Sequence, residues 1–242
     1  MRFRTTTTRS STMKITVIGI GNIGGTIAQR LAAAGHEVSV ASSRGGEKLI
    51  EFAQRISARP VDVQDAADDA EAVILSVPTE AMPDVAAKLR GRIPPTIAIV
   101  DSSNYVPGLR DREIPELEHG AVESEWISNL FGHRVIKAFN SINYRSLQGK
   151  NASPGTPGRI ALPVAGDDAD QKRLVMGLVD LVGFDPVDGG MLADSWHQQP
   201  GTPAYTTDLG KEQVQARLSL ANPAQTLAWR EEKRHTGFPG QR

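Results

Sequence analysis

Three glycines near the amino end of the chain have the spacing Gly19-x-Gly21-x-x-Gly24, directly after the apolar run at residues 13–18. Such a turn joins a strand to a helix in sites that bind the pyrophosphate of a dinucleotide. The first glycine permits the sharp turn, the second lets the backbone approach the phosphates, and the third lets the helix pack on the sheet. The helix contributes unpaired N–H groups and partial positive charge. We therefore predict a dinucleotide site rather than a ligand-free turn, with Ile20, Asn22 and Ile23 joining the glycines.

The residues after the second predicted strand indicate which dinucleotide binds. NAD sites usually carry Asp or Glu at this point, for the ribose 2′-hydroxyl. Here Glu37–Ala41 is followed by Ser42, Ser43 and Arg44, with Lys48 close behind. Hydroxyls and cations complement a 2′-phosphate, which a carboxylate would repel. The sequence favours NADP(H), with Arg44 as a solvated loop residue the alternative.

Small and polar residues lie at the carboxyl ends of three further predicted strands. In a doubly wound sheet, ligands bind at the carboxyl ends of the strands, so these residues are expected to lie at one site. We assign to the cofactor Ser76, Val77, Pro78, Ser102, Asn104 and Ala138, and to the second substrate Phe139, Asn140 and Trp196. An ordinary strand-end turn is the alternative for each segment.

The chain offers no obvious acid–base machinery. Tyr105, His133 and His197 are candidate proton donors, although each also fits an ordinary structural role. The five histidines lack the spacing of metal ligands, so no metal site is predicted. Lys137 lies in a strand of buried character near the predicted site, and a strand-end lysine that reaches solvent is the other interpretation.

Composition excludes several classes of protein. The 242 residues carry 27 basic and 28 acidic side chains, a net charge of −1, which gives no sign of a nucleic-acid surface. Cysteine is absent, and no apolar run approaches the length of a membrane span. A cytoplasmic protein that acts on a small molecule is expected. The basic, hydroxyl-rich residues 1–12 superficially suit an organelle transit segment, but we interpret them as a disordered extension.

Strands and helices alternate along the chain, which predicts an α/β fold: a Rossmann-type doubly wound parallel sheet with a smaller C-terminal α/β region. The predicted division is 13–150 for the NADP-binding domain and 151–242 for an acceptor-binding and dimerisation region. Predicted strands lie at 15–19, 37–41, 60–63, 71–78, 96–101, 134–140, 159–166 and 184–188, and predicted helices at 22–34, 47–57, 66–70, 80–89, 114–130, 169–182 and 211–221. We expect the charged tail 230–242 to be loosely held.

The chain resembles the NADPH:coenzyme F420 oxidoreductase family and its bacterial NADP oxidoreductase relatives. The resemblance covers residues 13–196 and rests on the segments 17–24, 43–48, 76–78, 135–140, 164–168 and 183–188. It implies that Ser43, Arg44 and Lys48 hold the 2′-phosphate and that Val77, Pro78 and Ala138 flank the cofactor. It also implies coenzyme F420 as a candidate co-substrate and a homodimer. The segments at 104–105 and 194–203 differ from the archaeal enzymes.

Three functions remain open on the sequence. The first is hydride transfer between NADPH and a deazaflavin or similar planar acceptor, which needs positioned rings rather than a strong acid. The second is reduction of a small imine or ketone, with Tyr105, His133 or His197 as proton donor. The third is a sensor that binds NADP(H) without consuming it.

Overall fold

The computed structural model describes residues 12–43 and 45–236. Arg44 and nearly all of the predicted extension 1–12 lie outside the described residues, as does 237–242. The strands are β1 (Lys14–Ile18), β2 (Glu37–Ala41), β3 (Arg59–Pro60), β4 (Ala72–Leu75), β5 (Ala98–Asp101), β6 (Val135–Lys137), β7 (Ala161–Val164) and β8 (Asp185–Asp188). The α-helices are α1 (Asn22–Ala33), α2 (Glu47–Arg55), α3 (Met82–Leu89), α4 (Pro115–Glu118), α5 (Glu123–Phe131), α6 (Tyr144–Gly149), α7 (Ala169–Val182), α8 (Lys211–Ser219) and α9 (Pro223–Thr236). Short 3₁₀ helices span Val63–Asp65, Thr79–Ala81 and Leu192–Gln198.

Six parallel strands form the main sheet in the order β3-β2-β1-β4-β5-β6. This is the strand order of the Rossmann fold, and the predicted fold class is confirmed. The chain reverses its direction of winding between β1 and β4, where the crevice for a ligand forms. Strands β4 and β5 are buried along their whole length, which explains their continuous apolar sequence.

Helices cover both faces of the main sheet. Alternate side chains of β1 face opposite ways: Val17 joins one apolar cluster with residues of α1 and α7, whereas Ile18 joins another with residues of α3 and α5. Each face therefore buries a continuous apolar layer, the principal stabilising term for this architecture.

The C-terminal region packs against the first part of the chain. The apolar stripe of α7, which includes Leu178 and Val182, lies in the same cluster as Leu31 of α1. Arg30 of α1 donates hydrogen bonds to the carbonyl oxygens of Val182 (2.7 Å) and Gln148 (2.9 Å). Strands β7 and β8 form a separate parallel pair, and the backbones of Lys137 and Ala165 bridge it to β6. The division at residue 150 stays a prediction, with a shared core on both sides of it.

Three predicted elements are wrong. The strand expected at 60–63 is only β3, because the chain turns at Val63 into a 3₁₀ helix and buries that side chain under α3. Residues 66–69 are turns rather than a helix. The tail expected to be loose from residue 230 is helical through Thr236, and the Arg230 side chain is buried. Charged side chains of this helix form ion pairs with other parts of the protein, and hydropathy alone does not indicate such pairs.

Candidate functional site

The glycine turn after β1 is closed by backbone contacts that only glycine allows. Gly19 has a φ of +102°, and a β-carbon there would lie 2.1 Å from the carbonyl oxygen of Ser76. A β-carbon on Gly24 would lie 2.0 Å from the carbonyl oxygen of Gly19. At Gly21, in contrast, a β-carbon would meet no heavy atom of the described residues within 4 Å. The backbone is thus accessible where a pyrophosphate would approach.

The amino end of α1 is available to an anion. Gly21 occupies the N-cap position, no side chain of the described residues caps the helix, and its first turn contains no acidic residue. Unpaired N–H groups and the positive end of the helix dipole remain there. These features, with the open space over Gly21, fit a dinucleotide pyrophosphate.

A cleft of about 370 Å³ opens beside this turn at the carboxyl ends of β4, β5 and β6. It is lined by Gly21, Asn22, Ile23, Ser76, Val77, Pro78, Ser102, Ser103, Asn104, Arg110, Phe139, Asn140, Ile142 and Tyr144. The structure thus brings together most of the residues that the sequence assigned to cofactor and substrate, because parallel strands end at one edge of the sheet.

A network of side-chain amides forms one wall of the cleft. Asn140 donates from Nδ2 to Oδ1 of Asn104 (3.0 Å) and accepts at Oδ1 from Nε2 of Gln198 (2.8 Å). Asn104 in turn donates to the carbonyl oxygen of Asn140 (2.9 Å). Phe139 adopts a φ of +62°, a left-handed conformation that costs about 1–2 kcal/mol for a residue with a β-carbon. The network holds two strand ends and the 3₁₀ helix of Gln198 in one arrangement.

A second, smaller cavity of about 230 Å³ lies beyond the end of β2. Ser42 and Ser43 line it, together with Gly45, Asp62, Val63, Gln64 and Lys88. Lys48 is exposed and does not line either cavity. No sequence pattern selects Lys88 as a cation for this cavity, because it comes from the last turn of α3. Arg44 lies outside the described residues, so its predicted role stays a prediction.

Four buried charges lie directly beneath the cleft: Asp101, Glu123, Lys137 and Arg230, here called the ionic cluster. Lys137 Nζ lies 2.9 Å from Oδ2 of Asp101 and 3.9 Å from Oε2 of Glu123, and Arg230 Nη2 lies 2.8 Å from Oε1 of Glu123. All four side chains are at most 2% exposed. The buried character predicted for the strand of Lys137 is confirmed, and the alternative that this lysine reaches solvent is wrong, because two carboxylates compensate its charge inside the protein.

The ionic cluster holds the end of β5 in place. Lys137 Nζ donates to the carbonyl oxygen of Ser103 (2.6 Å), and the Ser103 hydroxyl donates to Oδ1 of Asp101 (2.7 Å). Ser124 of α5 donates to the other oxygen of that carboxylate at 2.7 Å. Because Ser102, Ser103 and Asn104 line the cleft, these buried charges position one of its walls.

Tyr105 is not available as a proton donor. Its side chain is fully buried, and its hydroxyl donates to Oε1 of Glu118 (2.5 Å) and accepts from the backbone N–H of Ile114 (2.9 Å). Burial, with the hydrogen bond to the Glu118 carboxylate, raises the pKa of Tyr105 well above its ordinary value. The prediction of Tyr105 as a catalytic acid is corrected to a structural role.

The cleft lining does not include His133, Ala138, Trp196 or His197. His133 precedes β6 and so lies at the amino edge of the sheet, opposite the cleft. Ala138 is fully buried in the apolar core, so its side chain is not available to a ring. Trp196 and His197 stack on one another with ring centroids 3.7 Å apart, on the 3₁₀ helix behind the cleft wall. His133, Ala138, Trp196 and His197 therefore lose the contact roles expected from the sequence.

A larger cavity of about 630 Å³ lies at the opposite edge of the sheet. It is lined by the first residues of β1 and β2, by β3 and by the turn that precedes β4. This part of the sheet is open because a 3₁₀ helix and turns, rather than a full helix, follow β3. It does not contact the glycine turn or the carboxyl ends of the strands, so the smaller cleft is the better candidate for a dinucleotide site.

Several cleft residues were missed on the sequence. Ser103, Arg110, Ile142 and Tyr144 line the cleft, and Gln198 supports it from behind. Adjacency to assigned residues could have identified Ser103 and Ile142. No sequence pattern selects Arg110 or Gln198, because both lie outside the segments at the strand ends and reach the cleft only when the chain folds back to it.

In the described part of the chain, no group of three or more metal-ligating side chains is arranged to hold an ion. None of the described helices is long and apolar enough to cross a bilayer.

Known proteins resemble this chain over different lengths. Residues 14–105 match the family described as "NADP oxidoreductase coenzyme F420-dependent". The F420-dependent NADP reductase of Methanothermobacter thermautotrophicus is 34% identical over 148 residues, 56% of this chain and 64% of that protein. The chain spans 39% and 64% of the lengths of two curated relatives that it matches.

Two solved structures share the fold over most of the chain. The hypothetical protein SMa0349 from Sinorhizobium meliloti is 30% identical with a TM-score of 0.69, covering 83% of this chain and 96% of that one. A protein from Arthrobacter sp. FB24, whose proposed activity is that of an F420-dependent NADP reductase, is 24% identical with a TM-score of 0.59; 76% of this chain and 87% of that chain are covered. The match at residues 14–105, the archaeal reductase and the Arthrobacter protein thus all support a resemblance to the coenzyme F420-dependent NADP oxidoreductases.

Proposed function

We propose that this protein transfers hydride between NADP(H) and a planar deazaflavin-type acceptor, with coenzyme F420 as the first candidate. The observation that carries the proposal is the cleft itself. It joins the uncapped amino end of α1 to strand ends rich in small residues, and none of its described lining residues is a carboxylate or histidine. Such a site positions two rings, and Tyr144 is the one side chain of the usual acid–base types among its described lining residues.

The chain's own residues bind and orient the reactants in this mechanism. The backbone from Gly19 to Gly24 holds the pyrophosphate, and Val77 with Pro78 lies along the nicotinamide half. Asn104 and Asn140, fixed by Gln198, present amide groups to the polar edges of the rings. When bound, NADPH supplies a hydride; the acceptor takes up that hydride and one proton from solvent, leaving NADP⁺.

The preference for NADP(H) over NAD(H) rests on the residues after β2. Ser42 and Ser43 line the smaller cavity, and the cations proposed for the 2′-phosphate are Arg44 and Lys48 from the sequence and Lys88 from the structure. Asp62 also lines this cavity, where its carboxylate suits the adenine amino group better than a phosphate. We expect R44A to lose about 10- to 100-fold of the preference for NADPH, because a charge-assisted hydrogen bond is removed.

The matched control for that variant is R55A. Arg55 is the last residue of α2, and its guanidinium lies over the ring of Phe52 instead of lining either cavity. Titration of each variant with NADPH and NADH by fluorescence gives the two affinities. An R44A variant that keeps the full preference would contradict the assignment.

The deciding experiment is turnover of NADPH with purified coenzyme F420, followed by loss of the deazaflavin absorbance, with NADH as the control donor. Reduction with NADPH and not NADH is the expected result. Tight NADPH binding without F420 reduction would contradict the proposal. A screen of small imines and ketones would then separate a carbonyl or imine reductase from a non-catalytic sensor.

A homodimer is also proposed, formed through the C-terminal region. Leu220 and Leu227, at the junction of α8 and α9, are 64% and 43% exposed, which leaves apolar surface for a second copy. Light scattering on the purified protein tests this, with L220E–L227E expected to shift a dimer to a monomer.

A further inference from the structure

Arg110 is the one charged residue among the described residues that line the cleft. It lies in the loop that follows β5 and returns to the mouth of the cleft. Its Nη2 donates to the carbonyl oxygen of Asn104 and lies 3.3 Å from Oδ2 of Asp111. The guanidinium is therefore attached to the amide side of the cleft.

Asp111 contacts Arg110 and also accepts hydrogen bonds from the backbone. The Asp111 side chain is fully buried, and its oxygens accept hydrogen bonds from the backbone N–H groups of Val106 (2.7 Å) and Glu80 (3.1 Å). The carboxylate thus anchors a loop as well as the arginine, and it does not line the cleft.

Most of the hydrogen-bonding capacity of Arg110 is unused. A guanidinium carries five N–H donors, and here the contacts with described residues all involve Nη2. Nε and Nη1 are left for a ligand or solvent, and the side chain is 44% exposed at the cleft. A partly exposed arginine with such donors suits the bidentate binding of a carboxylate or phosphate.

The position of Arg110 distinguishes two sources of such an anion. The pyrophosphate of the dinucleotide belongs at the amino end of α1, which follows β1. Arg110 is bonded to the end of β5, and β4 lies between β1 and β5 in the sheet. Two strand spacings separate them by about 10 Å. An anion at Arg110 is therefore more naturally part of the second substrate.

We propose that Arg110 binds an anionic group, a carboxylate or a phosphate, of the hydride acceptor and so selects anionic acceptors over neutral ones. This rests on the proposed function of the cleft as the site of hydride transfer. The neutral remainder of the lining contacts the acceptor ring, and the arginine at the mouth contacts the charged chain attached to it.

The test compares two acceptors that differ in charge. Coenzyme F420 carries a phosphate and glutamate carboxylates, whereas its 8-hydroxy-5-deazariboflavin core lacks them. R110Q should raise the KM for F420 about 10- to 100-fold while leaving the KM for the core without the charged chain and the Kd for NADPH within about twofold. R110K should recover part of the loss. The matched control is R112Q, because Arg112 is 94% exposed outside the cleft and should behave as wild type.

Two outcomes would overturn the proposal. If R110Q raises the KM equally for both acceptors and its thermal unfolding is unchanged, Arg110 does not distinguish acceptors by their charge. A matching rise in the Kd for NADPH would assign the anion to the dinucleotide instead.

A binding experiment keeps the inference testable if neither deazaflavin is reduced. Inorganic phosphate is titrated into protein saturated with NADP⁺, and its ³¹P line broadening is recorded. Wild type and R112Q should bind phosphate alike, and R110Q at least about 10-fold more weakly. Equal binding by all three proteins overturns the inference, whereas loss in R110Q alone supports it and leaves only the identity of the acceptor wrong.

Discussion

The two sides of the cleft are built in different ways. The proposed cofactor side comes from one short segment, Gly19 to Gly24, whose backbone forms the turn. The proposed acceptor side is made of side chains from the segments after β5 and β6, from the Arg110 loop and from the 3₁₀ helix of Gln198; Asn140 and Gln198 are bonded across 58 positions of sequence. One side depends on local conformation, the other on long-range contacts.

The difference also appears in what supports each side. The glycine turn is held by a backbone hydrogen bond from Gly19 to the carbonyl oxygen of Ala41 (2.8 Å) and by close packing on the backbone of Ser76, directly after β4. The acceptor side rests on the ionic cluster, in which Arg230 reaches Glu123 across 107 positions from α9. Buried charges are costly unless each has a partner, so the acceptor side depends on all four residues at once. We expect the two sides to respond differently to substitution.

The largest expected effect is that of K137M. Removing this cation leaves the buried carboxylates of Asp101 and Glu123 under-compensated, which should lower the free energy of unfolding by about 3–5 kcal/mol. Urea denaturation measures the loss. The control is K150M, since Lys150 is 61% exposed and pairs with Asp208 at the surface; it should cost at most about 1 kcal/mol. Similar losses for both variants would contradict the importance of the ionic cluster.

The next effect is that of G24A, which tests the cofactor side alone. The added β-carbon meets the carbonyl oxygen of Gly19, so we expect a loss of about 1–3 kcal/mol in stability and weaker NADPH binding. The control is G177A, in the interior of α7, where a β-carbon meets no heavy atom of the described residues within 4 Å. G177A should raise stability by about 0.5–1 kcal/mol without changing NADPH affinity. Unchanged NADPH affinity in folded G24A would exclude the glycine turn as the site.

The variant Y105F should show whether Tyr105 stabilises the fold or donates a proton in the reaction. Loss of the buried hydroxyl leaves the N–H of Ile114 without its partner and should cost about 1–2 kcal/mol. Because that hydroxyl is bonded to Glu118 rather than exposed in the cleft, kcat should stay within about threefold of wild type. A large fall in kcat with a normal Tm would restore Tyr105 as a proton donor. Y144F, on the partly exposed Tyr144, is the control for stability.

The smallest expected effect depends on pH at the contact between α9 and α4. Burial tends to raise the pKa of Glu118, but the hydrogen bonds from Tyr105 and Arg234 outweigh it and lower the pKa below its usual range. A carboxyl with a lowered folded-state pKa stabilises the protein above its unfolded pKa of about 4.3, and this contribution is lost as the pH falls through the folded value. E118Q should therefore lower Tm by about 1–3 °C at pH 7 and converge with wild type in acid. A difference that persists in acid would contradict this account.

Part of the fold could be predicted because its signals are local. The run before Gly19, the Asp168 cap of α7 and its apolar stripe give strands and helices close to those observed. The fold class follows from their alternation. The failures share one cause, since the turn at Val63 and the helix through Arg230 depend on contacts with distant residues.

The sequence by itself determined the glycine turn, because close backbone approach and a left-handed φ value require glycine at fixed spacing. It also determined which strand ends meet, because parallel strands finish at one edge. Only the tertiary structure decided that Lys137 is buried among carboxylates, that Tyr105 is bonded away from the cleft, and that Arg110 and Gln198 return to it. Those outcomes depend on which charged and polar groups find partners when distant segments pack, and no local pattern encodes that pairing.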